Sequence, residues 1–330
     1  MARSRKHYRI LVITDIHYAC DLERARGDYE SRTVSNPLLR WLLKQYRYFL
    51  WRRDPFGWNY YLKRFIESAG EADLIIGNGD YCCDSAFMGV ADDPSLKSAK
   101  QCLEQLRDAF GDHFIGIMGD HDIGKKSMFG GFGGMHLDSW NRCLDDLDLK
   151  DFFQVELGRH VLMGLNSTLI GLPSNLADCS PADVSAWEEK RHAHLETMRV
   201  SLGRLGEDQR LLFFIHDPSA LPHLAQFDWI REHFHRLDGT FVGHLHSELI
   251  IKMSRVLAGM PQIHGLGHTA LKMSTALQKA GEWHPFKVHL VPAPGGIQVC
   301  RQGGFGEILI PMDGQDSVGF KIHSLGCNTR

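Results

Sequence analysis

Five short apolar runs each stop at a polar residue, and this alternation is the dominant pattern along the chain. Arg9 to Thr14 reads as a buried strand that ends at Asp15 and His17, and Asp73 to Asn78 as a second that ends at Asp80. A third, Phe114 to Met118, stops at Gly119-Asp120-His121-Asp122. Leu211 to Ile215 delivers His216, and Thr240 to Val242 delivers Gly243-His244-Leu245-His246. Between these runs helical stretches are clearest at Tyr60 to Ala69, Ser95 to Phe110 and Ala182 to Leu205, which gives the strand and helix alternation of layered α/β folds. Such folds place their sites at the carboxyl ends of strands, where all five polar stops fall. From about Pro285 onward the pattern changes to short strand-like runs broken by Pro and Gly, which predicts extra edge strands. No internal repeat or linker divides the chain, so residues 1–330 are expected to form a single domain with an insertion at about 18–65.

A chain of 330 residues can bury one large α/β core without staples. The formal net charge of -3 advertises no nucleic-acid partner, so any attraction to phosphate must be local. No extended basic track with interleaved aromatics spans the motif regions, which argues against a nuclease. The eight cysteines, Cys20, Cys82, Cys83, Cys102, Cys143, Cys179, Cys300 and Cys327, are scattered without a Cys-x-x-Cys pair and read as reduced thiols. Met1 to Lys6 is basic, but the apolar run that follows is short and carries Asp15, unlike a signal-peptide core. No window approaches the ~20 apolar residues needed to span a bilayer. The expected compartment is the cytoplasm, with peripheral contact at the inner face of the membrane as an extension of that reading.

The polar stops have a common chemistry. Two divalent cations held roughly 3.5 to 4 Å apart need a shared carboxylate, further anionic oxygens and several imidazoles. One Asp-x-His or His-x-His alone is common; five such stops in order, each at a strand end, are not. In that order they resemble the calcineurin-like metallophosphoesterases, through Asp15-Ile16-His17, Gly79-Asp80, Gly119-Asp120-His121-Asp122, His216 and Gly243-His244-Leu245-His246, over roughly Arg9 to Ser247. The resemblance implies an α/β fold, a four-layered αββα sandwich of two mixed sheets flanked by helices. It also implies that Asp15, His17 and His246 hold one metal, that Asp120, His216 and His244 hold the other, and that Asp80 bridges both. Manganese is the expected metal, with iron or zinc as alternatives. His121 would sit beside the scissile phosphate and donate a hydrogen bond or proton to the leaving oxygen.

Two positions depart from the family pattern. Asp120 stands where that family usually has Asn, and its added charge should tighten the hold on a hard cation while reducing the electrophilicity of the site. Asp84, the candidate partner of His121, lies one position later than usual, and Cys83 stands in that place. The Arg-Gly that follows this motif in serine/threonine phosphatases is absent, which argues against that group.

The insertion bears on substrate. Trp41, Tyr46, Tyr48, Phe49, Trp51, Phe56, Trp58, Tyr60 and Tyr61 alternate with Arg40, Lys44, Arg47, Arg52, Arg53, Lys63 and Arg64. Such a mixture suits the lipid headgroup boundary, and equally a cap helix that packs its aromatic face on the core. Met128 to Met135 reads either as a mobile flap that contacts an acyl chain, with Lys125 and Lys126 near phosphate, or as a surface loop with those lysines as solvated charges, the latter favoured for the lysines. His192, His194, His264 and His268 lack acidic companions at suitable spacing and read as structural or surface histidines. An aromatic and basic insertion in such a phosphoesterase is similar to that of enzymes cleaving the pyrophosphate of UDP-2,3-diacylglucosamine in lipid A synthesis. The expected activity is therefore hydrolysis of a phosphodiester or pyrophosphate in that or a similar lipid-linked substrate. A soluble enzyme acting on cyclic nucleotides or nucleotide sugars, and a non-catalytic metal-binding scaffold, are the alternatives.

Overall fold

The computed structural model describes residues 6–27, 29–83, 87–127, 132–247, 256, 258–259, 261–262, 274–297, 303–312 and 317–326. The strands are β1 (His7–Ile13), β2 (Leu74–Asn78), β3 (Phe114–Ile117), β4 (Phe152–Leu157), β5 (His160–Leu165), β6 (Arg210–Ile215), β7 (Leu237–Val242), β8 (Val288–Leu290), β9 (Gly304–Pro311) and β10 (Gly319–Ser324). They form two five-stranded mixed sheets, in the orders β10-β9-β1-β2-β3 and β4-β5-β6-β7-β8. Within the first, β1, β2 and β3 run parallel while β9 and β10 are antiparallel to their neighbours. Within the second, β5 to β8 are parallel and only β4 is reversed.

The period of two along each strand explains the layers. Ile10 and Val12 of β1, Ile76 of β2 and Ile308 of β9 face Leu162, Leu212, Phe214 and Phe241 of the second sheet, closing a core between the sheets. The alternate residues face outward. Leu11 and Ile13 meet the helices Tyr60–Ala69, Asp93–Phe110 and Leu137–Asp145 through Leu62, Phe65, Leu103, Leu106 and Trp140. Leu211, Phe213 and Ile215 meet the helix Val184–Gly203 through Leu195, Met198 and Leu202. With both faces covered, these strands read as continuous apolar runs. The result is the four-layered αββα sandwich expected from the sequence.

Two parts of the topology differ from the sequence expectation. β9 is not an edge strand, because β1 pairs with it on one side and β10 on the other. Only β8 and β10, among the carboxyl-terminal strands, lie at sheet edges. The hairpin β4–β5, which supplies an edge of the second sheet, stops at Asn166 instead of an Asp or His and has no counterpart among the five runs.

The insertion divides into two parts. Asn36 caps the helix Pro37–Tyr46 by accepting from the amides of Leu38 and Leu39, and that helix buries only Leu43. Leu38, Trp41 and Leu42 stand exposed on it, and Tyr48, Phe49 and Leu50 follow, exposed, on the π-helical turn Arg47–Trp51. The helix Tyr60–Ala69 behaves oppositely, burying Tyr61, Leu62, Phe65 and Ala69 on the first sheet. No helix among the described residues is long and apolar enough to cross a membrane.

Candidate metal centre

All five polar stops converge at one end of the two sheets. Beyond β1 the chain continues alongside the loop after β2, with the amides of Asp15, His17 and Tyr18 donating to the carbonyls of Gly79, Asp80 and Tyr81. Asp15, His17, Asp80, His244 and His246 all have left-handed backbone, with φ of 52°, 50°, 63°, 61° and 57°. Such a conformation costs a non-glycine residue of order 1–3 kcal/mol, and five together mark a site whose geometry is imposed by the surrounding fold. Gly79 and Gly119 let the second and third loops touch, since a Cβ on Gly79 would lie 2.7 Å from the Gly119 Cα. Asp122, fully buried, fastens the same contact by accepting from the amides of Asp80, Tyr81 and Gly119 at 2.9, 3.0 and 2.9 Å.

Three groups of metal-competent side chains result. Asp80, Asp120, His216 and His244 form one, Asp15, His17 and His246 a second, and His17, Asp80 and His121 a third, with the donor atoms in each within 4.8 Å of one another. Asp80 Oδ2 links them, at 3.1 Å from His216 Nε2, 4.0 Å from His17 Nε2 and 3.8 Å from His121 Nε2. Asp15 Oδ1 lies 3.1 Å from His246 Nε2 and 3.8 Å from His17 Nε2. Asp120 Oδ1 faces His216 Nε2 at 3.2 Å and His244 Nδ1 at 3.1 Å.

The groups behind these donors fix their orientation. His216 Nδ1 donates to the Asn78 carbonyl at 2.7 Å and His17 Nδ1 to the Cys82 carbonyl at 3.2 Å, which turns each Nε2 toward the centre. Thr14 Oγ1 and the His244 amide donate to Asp15 Oδ2, leaving Oδ1 inward. The His121 amide donates to Asp80 Oδ1, leaving Oδ2 inward. Asp15 Oδ1, His17 Nε2 and Asp80 Oδ2 are buried and make no hydrogen bond, a rare condition for polar atoms in a folded chain. Divalent cations would satisfy all three, so the residues present fit the metals the sequence implies.

The electrostatics agree with a site built for positive charge. Burial, reinforced by the Asp120 and Asp15 carboxylates and opposed by His216, raises Asp80 to about 7. Burial alone would depress His216, but Asp80, Asp15 and Asp120 hold it well above its ordinary value, so in the metal-free chain its proton stands in for a cation. Burial lowers His246 to about 4 against the pull of Asp15, and Arg52 adds to the effect.

Every residue that the resemblance implies as a ligand is brought to this centre, and His121 stands at its partly open side. Asp84 lies outside the described residues, as do Met128 to Gly131, His264 and His268. His192 is exposed and His194 buried, both away from the centre. Lys125 is not a solvated charge: its Nζ lies 2.9 Å from Asp120 Oδ2, because the turn after β3 folds back over its own start. Arg52 is buried, with Nη2 3.0 Å from His246 Nδ1 and its guanidinium 4.5 Å over the Trp58 ring. Trp51 packs 4.7 Å from the His246 ring. The contacts of Arg52 and Trp51 with His246 carry no signal in a run where basic and aromatic residues alternate throughout. Trp58 is half-buried against the first core, as a cap reading of the insertion expects, whereas Trp41 is exposed.

A two-sheet α/β sandwich with acidic and imidazole donors gathered at its strand ends defines a class of metal-dependent phosphoesterases. The model of the calcineurin-like phosphoesterases matches residues 8–248, and the chain belongs to that family, whose members hydrolyse phosphoester bonds. No curated protein sequence matches the chain. Similar solved structures include purple acid phosphatase PPD1 from yellow lupin (Lupinus luteus) seeds, 13% identical with a TM-score of 0.45, the match covering 98% of this chain and 52% of that one. The chain thus spans about half the length of the lupin protein. Phosphopantetheinyl hydrolase from Mycobacterium tuberculosis is 13% identical with a TM-score of 0.35, over 73% of this chain and 84% of that one. A metallophosphoesterase from Sphaerobacter thermophilus is 14% identical with a TM-score of 0.32, over 96% and 87%.

Proposed function

We propose that the chain hydrolyses a phosphodiester or pyrophosphate at a two-cation centre, on an amphiphilic substrate such as UDP-2,3-diacylglucosamine met at the inner membrane surface. Asp15, His17 and His246 would hold one cation and Asp120, His216 and His244 the other, with Asp80 shared between them. The observation that carries this reading is the position of Asp80 Oδ2, 3.1 Å from His216 Nε2 of one donor group and 4.0 Å from His17 Nε2 of the other, buried and without a hydrogen bond of its own. Two divalent cations, manganese in our reading, would supply Lewis-acid activation of water and neutralise the phosphoryl oxygens. His121 lies on the open side, within 3.8 Å of Asp80, where its imidazole can donate to the leaving oxygen.

The lipid part of the proposal rests on the insertion. Leu38, Trp41 and Phe49 are 63%, 54% and 59% exposed, beside Arg40, Lys44 and Arg47. Apolar groups with neighbouring cations suit an anionic headgroup layer. The same segment ends at Trp51 and Arg52 on His246, so substrate drawn from a membrane would be delivered next to the cations. A soluble nucleotide phosphodiesterase is the second reading, favoured by Trp58 and Trp51 acting as a cap on the core and the site. Mn²⁺-supported hydrolysis of UDP-2,3-diacylglucosamine in detergent, against the unacylated nucleotide sugar, separates the two. Preference for the acylated compound, with kcat reduced about 10²- to 10⁴-fold in His121→Ala, is expected. Equal or faster cleavage of the unacylated compound would remove the lipid reading.

A further inference from the structure

Asp120 gives its donor group a second carboxylate, and the fold sets a cation against it. Asp120 Oδ1 faces His216 and His244, while Oδ2 is held by Lys125 Nζ at 2.9 Å. The two oxygens therefore have separate tasks. The backbone makes this juxtaposition: Asp120–Ile123 forms one helical turn, closed by the Gly124 amide donating to the Asp120 carbonyl at 2.9 Å. Gly124 has φ 102°, and a Cβ there would lie 2.4 Å from the Gly134 carbonyl oxygen, so only glycine fits the reversal that returns Lys125 over Asp120. The side chains of Lys125 and Asp120 are 29% and 15% exposed, which screens the pair less than an ordinary surface ion pair.

We infer that Lys125 is a positioning residue that sets the charge of the second cation site. With its outer oxygen neutralised, Asp120 offers the site one oxygen of nearly amide character, so the bound cation keeps its electrophilicity. Removing Lys125 leaves a full extra negative charge on the donor group, which tightens the cation and blunts its action on phosphate. Removing the Asp120 charge while keeping Lys125 takes one negative charge from the donor group and leaves the ammonium beside it, which loosens the cation. Removing both restores the balance. This inference rests on the two-cation reading, and neither Lys125 nor Asp120 is required to change protonation.

Titration of the metal-free full chain with Mn²⁺, followed by calorimetry, tests it on wild type, Lys125→Met, Asp120→Asn, the double variant and Lys125→Arg. One unit charge acting on a divalent ion through an effective dielectric near 20 predicts a second-site Kd at least about tenfold tighter in Lys125→Met and at least about tenfold weaker in Asp120→Asn. The double variant and Lys125→Arg are expected within about threefold of wild type, as charge compensation requires. A Kd unchanged or weakened in Lys125→Met, or a double variant as weak as Asp120→Asn alone, overturns the inference. A wild-type chain that binds fewer than two Mn²⁺ overturns the two-cation reading and this inference together. Two ions bound equally well by wild type and Lys125→Met overturn this inference alone.

Discussion

Replacing Asp80 by Asn is expected to stabilise the metal-free chain while destroying its capacity to hold two metals. Asp80 is fully buried, stands between Asp15 and Asp120, and titrates at about 7 rather than 3.8, chiefly because burial penalises its charge. Its folded pKa is therefore above its unfolded value, so the folded state binds the extra proton between about pH 4 and 7 and stability falls as pH rises through that window. The full displacement corresponds to about 4 kcal/mol above pH 7, and water entering the open side of the cleft should reduce this to about 2 kcal/mol. Asn keeps the shape and can still accept from the His121 amide, but carries no charge to desolvate. In EDTA at pH 8 the variant should melt roughly 3 °C above wild type, whereas at pH 4 the two should coincide within about 1 °C. Excess Mn²⁺ should raise the wild-type midpoint by more than that of the variant, because ligand binding stabilises only the state that binds. Thermal unfolding by circular dichroism reads both effects. A variant less stable than wild type by the same amount at both pH values would show that Asp80 is a structural ligand of the loops and not a charge held for a metal.

Phe214, fully buried between the sheets and stacked 5.3 Å from Phe241, should cost about 3–5 kcal/mol when cut to Ala, read by urea unfolding; a loss under about 1 kcal/mol would contradict the inter-sheet core. His194 is buried, accepts the Asn166 amide through Nε2, and is pushed by burial down to about 4. Its unfolded form binds a proton that the folded form refuses, so it subtracts about 2 kcal/mol between pH 7 and 5, and His194→Gln should flatten that part of the stability profile. Parallel profiles for wild type and variant would refute that assignment.

The strands and their order were legible because their ends coincide with chemistry. A buried run that stops at Asp, His or Gly-Asp marks its own end, so β1, β2, β3, β6 and β7 are legible to within a few residues. β4 and β5 end on no such residue, and β9 was placed at an edge because a Pro- and Gly-broken run looks like one, although β1 offers it a full antiparallel partner. Polar stops at strand ends, together with the family resemblance they carry, point to Asp15, His17, Asp80, Asp120, His216, His244 and His246 as candidate donors. What surrounds them was hidden, because it depends on where turns send side chains. Asp122 falls within a quoted motif but owes its part to three amides on two loops. Lys125 owes its place to the reversal at Gly124. Arg52 reaches His246 only because the chain leaves the turn Arg47–Trp51 in an extended conformation, at φ -149° and ψ 118°.

Divalent ions counted per chain by inductively coupled plasma mass spectrometry, after loading with Mn²⁺ and removal of excess, test the central claim most directly. Two ions are expected in wild type and in His121→Ala, and no more than one in His246→Ala and in His216→Ala, which disable one donor group each. A wild-type chain that saturates at one ion or none, or a His216→Ala chain that still holds two, would contradict it.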